Sequence, residues 1–177
     1  MERMPALDLI SHSPDQTRRL GTHLARFAEP GDLYLLSGSL GSGKTTLVQG
    51  IARGLKVGDY VQSPTFILAM EHAGLLPDGR PVRLYHIDLY RLEKPSELLT
   101  FGIEDYLADP QGIVVIEWPE HASTDLFDDH LLIRLEFIAE TKRRLMFYPN
   151  GQRYQRLVDQ VRQEVAGGRR RSTTASD

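Results

Sequence analysis

The sequence predicts a three-layer α/β domain, a sheet of mixed direction with flanking helices. Three observations carry this. Leu33–Leu36 and Ile113–Ile116 are apolar without a break, as strands buried on both faces are. Around them, apolar residues recur at helical spacing. Leu131–Ile138 alternates instead, with Ile133, Leu135 and Phe137 on one side and Arg134 and Glu136 on the other, the pattern of a half-exposed strand.

In chain order, Ser13 is placed to cap a first helix, with Pro14 at its first position and Gln16 completing a capping box. Leu20, Leu24, Phe27 and Ala28 give that helix its apolar face, and Pro30-Gly31 ends it. After the first buried strand comes a Gly/Ser-rich loop, then a second helix with Leu47, Val48, Ile51, Ala52 and Leu55 on one face. Phe66–Met70 and Val82–Leu89 read as two strands joined by a Gly/Pro loop. Ser96 is placed to cap a short helix through Leu98 and Leu99, and Arg144–Tyr148 to pair with the half-exposed strand. A last helix carries Tyr154, Leu157, Val158 and Val161. Residues 1–166 form one domain; 167–177, Gly-rich with three arginines, have little to bury and read as a disordered basic tail.

Length and composition fit this class. A chain of 177 residues, 41% hydrophobic and 25% charged, has ordinary globular usage. No apolar run approaches the roughly 20 residues of a membrane span, and Met1–Pro5 lacks the apolar stretch of a secretory signal. The expectation is a cytoplasmic protein. Zero cysteines exclude disulfides, thiolate metal sites and cysteine nucleophiles. With 21 basic against 24 acidic residues, autonomous binding of nucleic acid is not expected.

The chemistry lies in the Gly/Ser loop. Gly38-Ser39-Leu40-Gly41-Ser42-Gly43-Lys44-Thr45 fits G-x-x-x-x-G-K-[ST], the P-loop pattern, between a buried strand and a helix. Glycines let successive N–H groups curl into one concavity, and the helix N-terminus adds partial positive charge for phosphate oxygens. Lys44 then reaches the β- and γ-phosphates, and the Thr45 hydroxyl is a magnesium ligand. The sheet is therefore expected to be of the P-loop NTPase type. A carboxylate on the metal side completes such a site, and Glu117, ending Ile113-Val114-Val115-Ile116, supplies it if the two buried strands run parallel. His86 and Asp88 share one strand face; Asp88 is expected as an acid near the metal or the attacking water, oriented by His86. Ser63-Pro64-Thr65 lies where switch loops contribute a threonine to the γ-phosphate, although a plain turn has the same pattern. Trp118, the only tryptophan, stacks on the nucleotide, anchors a partner, or packs a lid or core. The guanine-reading N-K-x-D motif is absent, since the only asparagine is Asn150, in Pro149-Asn150-Gly151; ATP is therefore favoured.

Gly38–Thr46, Ser63-Pro64-Thr65-Phe66, His86-Ile87-Asp88-Leu89-Tyr90-Arg91 and Glu117-Trp118-Pro119-Glu120 stand together in an order and spacing that resemble the TsaE (YjeE) family of ATPases. The resemblance runs from about Ser13 to Glu120. It implies a bacterial ATPase for threonylcarbamoylation of adenosine 37 in tRNAs that read codons beginning with A. In that pathway TsaD, held by TsaB, transfers the group, and the ATPase binds the pair and hydrolyses ATP to drive the cycle; tRNA is then met only through the complex. The resemblance implies Gly41, Ser42, Gly43, Lys44, Thr45 and Thr46 as the phosphate cradle, Thr45 and Glu117 as magnesium ligands, Asp88 and Trp118 in hydrolysis or the switch region, and Thr17 near the adenine. The family usually has aspartate at Ser39 and alanine at Ser42. Two other classes stay open: a small-molecule kinase that recruits Arg91 or Arg153, and a nucleotide-binding scaffold that does not hydrolyse.

Overall fold

The computed structural model describes residues 3–64, 68–123 and 126–172, with side chains as far as residue 168. The elements are β1 (Leu7–Ser11), α1 (Pro14–Arg26), β2 (Leu33–Ser37), α2 (Lys44–Gly54), β3 (Ala69–Leu75), β4 (Pro81–Asp88), α3 (Glu97–Phe101), α4 (Ile103–Ala108), β5 (Gly112–Glu117), β6 (His130–Phe137), β7 (Arg143–Asn150) and α5 (Gln152–Ser172). A short 3₁₀ turn, Pro119–His121, follows β5.

The seven strands form one sheet in the order β1-β7-β6-β2-β5-β4-β3. Its centre is parallel: β2 pairs with β5 and with β6, and β4 with β5. Antiparallel partners close both sides, β3 on β4 and the β6–β7 hairpin with β1 added outside it. The direction is mixed, as the apolar and alternating runs predict. The unbroken runs became β2 and β5, which lie in the middle with both faces covered.

Helices α1, α2 and α5 cover one face, over a core that includes Leu24, Leu47, Ile51, Leu84, Val115, Ile133, Phe147 and Leu157. Helices α3 and α4 and the segment after β5 cover the other face over Leu35, Ile87, Val114, Ile116 and Phe127. Helices α1 and α2 approach closely enough to need glycine: a Cβ at Gly21 would lie 2.5 Å from the Leu47 carbonyl, and one at Gly50 would overlap the Arg18 carbonyl.

Several local expectations shift. The Ser13 Oγ accepts the Gln16 N–H at 3.1 Å, but the Gln16 side chain reaches back to the N–H of His12, one residue beyond the cap. Ser96 makes no side-chain capping bond at α3. The first hairpin strand starts at Ala69 and runs to Leu75, later than Phe66–Met70; Phe66 lies outside the described residues. Strand β1 and helix α4 have no counterpart in the sequence expectation. Helix α5 continues to Ser172, past Gly167 where a tail is expected; arginine is among the better helix formers.

Candidate functional site

Strand β2 ends at the glycine loop, and α2 begins at Lys44 with Gly43 as its N-cap. The loop needs its glycines. Gly41 and Gly43 have φ of 78° and 102°, in the left-handed region, and a Cβ at Gly38 would collide with the Leu135 carbonyl. Lys44, only 5% exposed, donates to the carbonyls of Gly38 (2.6 Å) and Ser39 (2.9 Å), and its Nζ lies 3.4 Å from Ser42 Oγ. Burial pulls its ammonium below the usual lysine range, while the carboxylates of Glu117, Glu120 and Asp88 push back.

Glu117 is the last residue of β5, and the parallel β2–β5 register brings it to the same sheet edge as the loop. It is 3% exposed, and the Thr45 hydroxyl donates to it at 3.1 Å from both carboxylate oxygens. On the other side, His86 Nε2 lies 2.5 Å from Glu117 Oε2. The shared strand face points to Asp88 as the partner of His86; the imidazole instead pairs with Glu117. The two residues sit on adjacent strands, and the imidazole reaches diagonally from its register partner Val115 to the residue two further on.

Asp88 accepts the Ser63 hydroxyl at 2.6 Å and the Tyr90 N–H at 2.9 Å, which ties the Ser63-Pro64 segment to the end of β4. Thr65 lies outside the described residues. Trp118 has φ 59° and ψ 48°, an uncommon conformation for a bulky residue. Its N–H binds the Leu36 carbonyl at 3.1 Å, and its ring lies 4.1 Å from Lys44 Nζ and 5.0 Å from the Tyr90 ring. The strained backbone turns the indole over the lysine.

These groups line one cavity of about 350 Å³, which contains Thr17, Gly41, Gly43, Lys44, Thr45, Thr46, Asp88, Glu117 and Trp118. Gly38 and Ser42 stand behind it as partners of Lys44. Thr17 is buried, its hydroxyl 2.7 Å from that of Ser11. The Ser39 side chain faces solvent. Arg153 is elsewhere, paired with Asp32 at the opposite edge of the sheet, so it is not available to an acceptor lid.

The lining also holds Pro14, Leu40, Ser63, Tyr90, the β6–β7 turn residues Glu140 and Thr141, and Arg143 at the start of β7. The hairpin residues were not among those the sequence pointed to. Arg143 folds onto the carbonyls of Ala139, Glu140 and Lys142, with its guanidinium 4.5 Å over the Phe137 ring. A signal existed: once β6 is placed parallel to β2, the turn that follows it must open at the edge that carries the glycine loop.

A hydroxyl and a carboxylate meeting beside a phosphate-type loop suit a hard cation such as magnesium, which uses one or two protein oxygens and takes the rest from phosphates and water. Among the described residues no group of three or more His, Asp or Glu could hold a metal by itself.

Fold and loop together define the class: a mixed α/β protein with a P-loop sequence at the C-terminal edge of its parallel strands. Residues 11–145 match the model for TsaE, threonylcarbamoyl adenosine biosynthesis protein, and the chain belongs to that family. It is 36% identical over 150 residues to the tRNA threonylcarbamoyladenosine biosynthesis protein TsaE of Bacillus subtilis (strain 168), covering 84% of this chain and 89% of that one. With the TsaE protein of Streptomyces coelicolor it shares 42% over 120 residues, 67% of this chain and 78% of the other. The crystal structure of YdiB from Bacillus subtilis superposes with a TM-score of 0.74 at 29% identity, covering 92% of this chain and 99% of that one. The family's role is in the biosynthesis of threonylcarbamoyladenosine in tRNA.

Proposed function

We propose that this chain binds ATP with magnesium at the cavity above and hydrolyses it, acting on a TsaD–TsaB pair during tRNA threonylcarbamoylation in the cytoplasm. The observation that supports this best is the meeting of the Thr45 hydroxyl with the buried Glu117 carboxylate at 3.1 Å, beside Lys44. Family membership supports the pathway. Among the described residues no helix is long and apolar enough to cross a membrane.

Lys44 is held by loop carbonyls that phosphate oxygens replace; a charge-assisted bond to phosphate is stronger than one to a neutral carbonyl. The loop N–H groups and the start of α2 receive the remaining phosphate charge. Thr45 and Glu117 would hold a magnesium ion, which would supply positive charge to the phosphate oxygens. Asp88 fixes the Ser63-Pro64 segment against the site, and Trp118 covers Lys44 from solvent. Thr17 also lines the cavity, as do Glu140, Thr141 and Arg143 from the β6–β7 hairpin, which lies across β2 from Glu117's strand; these suit the nucleoside.

The test is ATP hydrolysis by the purified chain, alone and with TsaD–TsaB, magnesium present throughout. The expected result is slow turnover alone and clear stimulation by the pair. Bound ATP without stimulated hydrolysis would sink the cycling role, and a phosphorylated metabolite would move the chain to the kinases.

A further inference from the structure

His86 takes no part in the steps above, yet it occupies a costly place. It is fully buried in β4, and its Nδ1 has no hydrogen-bond partner among the described residues. An aliphatic side chain would fill that volume without leaving a buried polar atom unsatisfied. Core packing therefore does not account for an imidazole here. What the imidazole alone supplies is Nε2, 2.5 Å from Glu117 Oε2.

The contact is asymmetric in a useful way. Thr45 Oγ1 lies 3.1 Å from both Glu117 oxygens, whereas His86 engages only Oε2. Under the proposed function the Thr45 hydroxyl turns to the cation and leaves Glu117, so it cannot hold the carboxylate at the moment orientation matters. His86 can, because β4 and β5 are neighbouring strands in fixed parallel register. We propose that His86 is a positioning residue: its Nε2–H, donated to Glu117 Oε2, holds the carboxylate so that Oε1 is presented to a nucleotide-bound magnesium ion. The inference rests on the magnesium-dependent reading of this site.

Three variants of the full chain test it: His86→Gln, His86→Asn and His86→Leu. The glutamine amide nitrogen falls close to the position of Nε2, while the shorter asparagine amide falls near Nδ1 and misses Glu117. Trp118, the only tryptophan, lies 4.1 Å from Lys44 Nζ, so its fluorescence reports occupancy of the loop. Magnesium chloride is titrated into protein with ATP, and ATP binding is measured separately in EDTA; melting temperatures are recorded for all variants.

The expected result is that H86N and H86L need about 10–100-fold more magnesium for the half-maximal response, the usual effect of losing a hydrogen bond behind a metal ligand. H86Q stays close to the parent, and ATP binding in EDTA is the same in all four proteins. A folded H86N with the parent's magnesium dependence overturns the proposal. So does a loss of ATP binding in EDTA that follows melting temperature across all three variants, which marks His86 as packing only. A parent protein whose response to ATP is indifferent to magnesium overturns the underlying functional reading, and the inference with it.

Discussion

Asp32 and Glu117 are carboxylates buried to the same degree, 3% exposed each, at opposite edges of the central strands. Their surroundings differ. Asp32 accepts both a two-pronged bond from Arg153, at 2.9 and 2.7 Å, and further bonds from the Tyr34 hydroxyl at 2.6 Å and the Glu29 N–H at 2.9 Å. Its charge is matched by a guanidinium within the fold. Glu117 has a hydroxyl and an imidazole, and no lysine or arginine within ion-pair distance among the described residues. A buried carboxylate without an ammonium or guanidinium against it is unfavourable. The first belongs to the architecture; the second is arranged for a positive charge that arrives from outside.

Exchanging each acid for its amide sharpens this contrast most. Glu117→Gln is expected to lower ATP hydrolysis roughly 100-fold or more, since a metal's charge stabilisation is worth several kcal/mol at about 1.4 kcal/mol per decade. Its melting temperature should hold or rise, because no lysine or arginine loses an ion-pair partner. Asp32→Asn should do the reverse. It takes the buried partner from Arg153, whose remaining carboxylate, Glu29 at 3.3 Å, is exposed, a loss of about 3–5 kcal/mol of stability, or on the order of 10 °C in melting temperature, with hydrolysis per folded molecule unchanged. Thermal melts beside turnover assays decide it, and a melting loss in Glu117→Gln equal to that in Asp32→Asn would erase the distinction.

Lys44 offers the next largest effect. Lys44→Ala should weaken ATP binding about 10–100-fold, the scale of a lost hydrogen bond to a charged group, as read by calorimetry. The protein without nucleotide should become no less stable. Burial depresses this lysine in the folded state, so at high pH the unfolded chain binds the extra proton. Stability then rises with pH from the depressed value up to the ordinary lysine range near 10.5. That rise should be smaller in Lys44→Ala.

What the sequence revealed of this contrast was uneven. Glu117 was legible because an unbroken apolar run ending in an acid places that acid at a sheet edge, and two such runs tend to lie parallel in the centre. The P-loop spacing identified the matching edge. The His86–Glu117 contact was not legible, because alternation along one strand links 86 to 88, whereas the contact depends on the neighbouring strand and its register. Strand β1 escaped for a related reason. Leu7-Asp8-Leu9-Ile10-Ser11 is a half-exposed edge whose partner, β7, comes more than a hundred residues later. Asp32 gave no sign of its importance, since Arg153 joins it only once α5 has packed.

The smallest prediction concerns the matched region. The Tyr154 hydroxyl accepts the Leu33 N–H at 2.8 Å beside Asp32, and burial, with that carboxylate's help, pushes its phenol up to about 12. An unfolded chain loses this proton near 10, so between pH 10 and 12 the folded state holds more protons and stability falls as pH rises. Tyr154→Phe should lose about 1–3 kcal/mol near neutrality, because the Leu33 N–H is left without its acceptor. This tyrosine's share of the alkaline loss should then disappear. Denaturant titrations at neutral pH and across the alkaline window separate the two effects. The same substitution should leave ATP binding unaltered, because Tyr154 meets β2 at Leu33, the end opposite the glycine loop; a change there would mean that the two carboxylates are coupled through the strand between them.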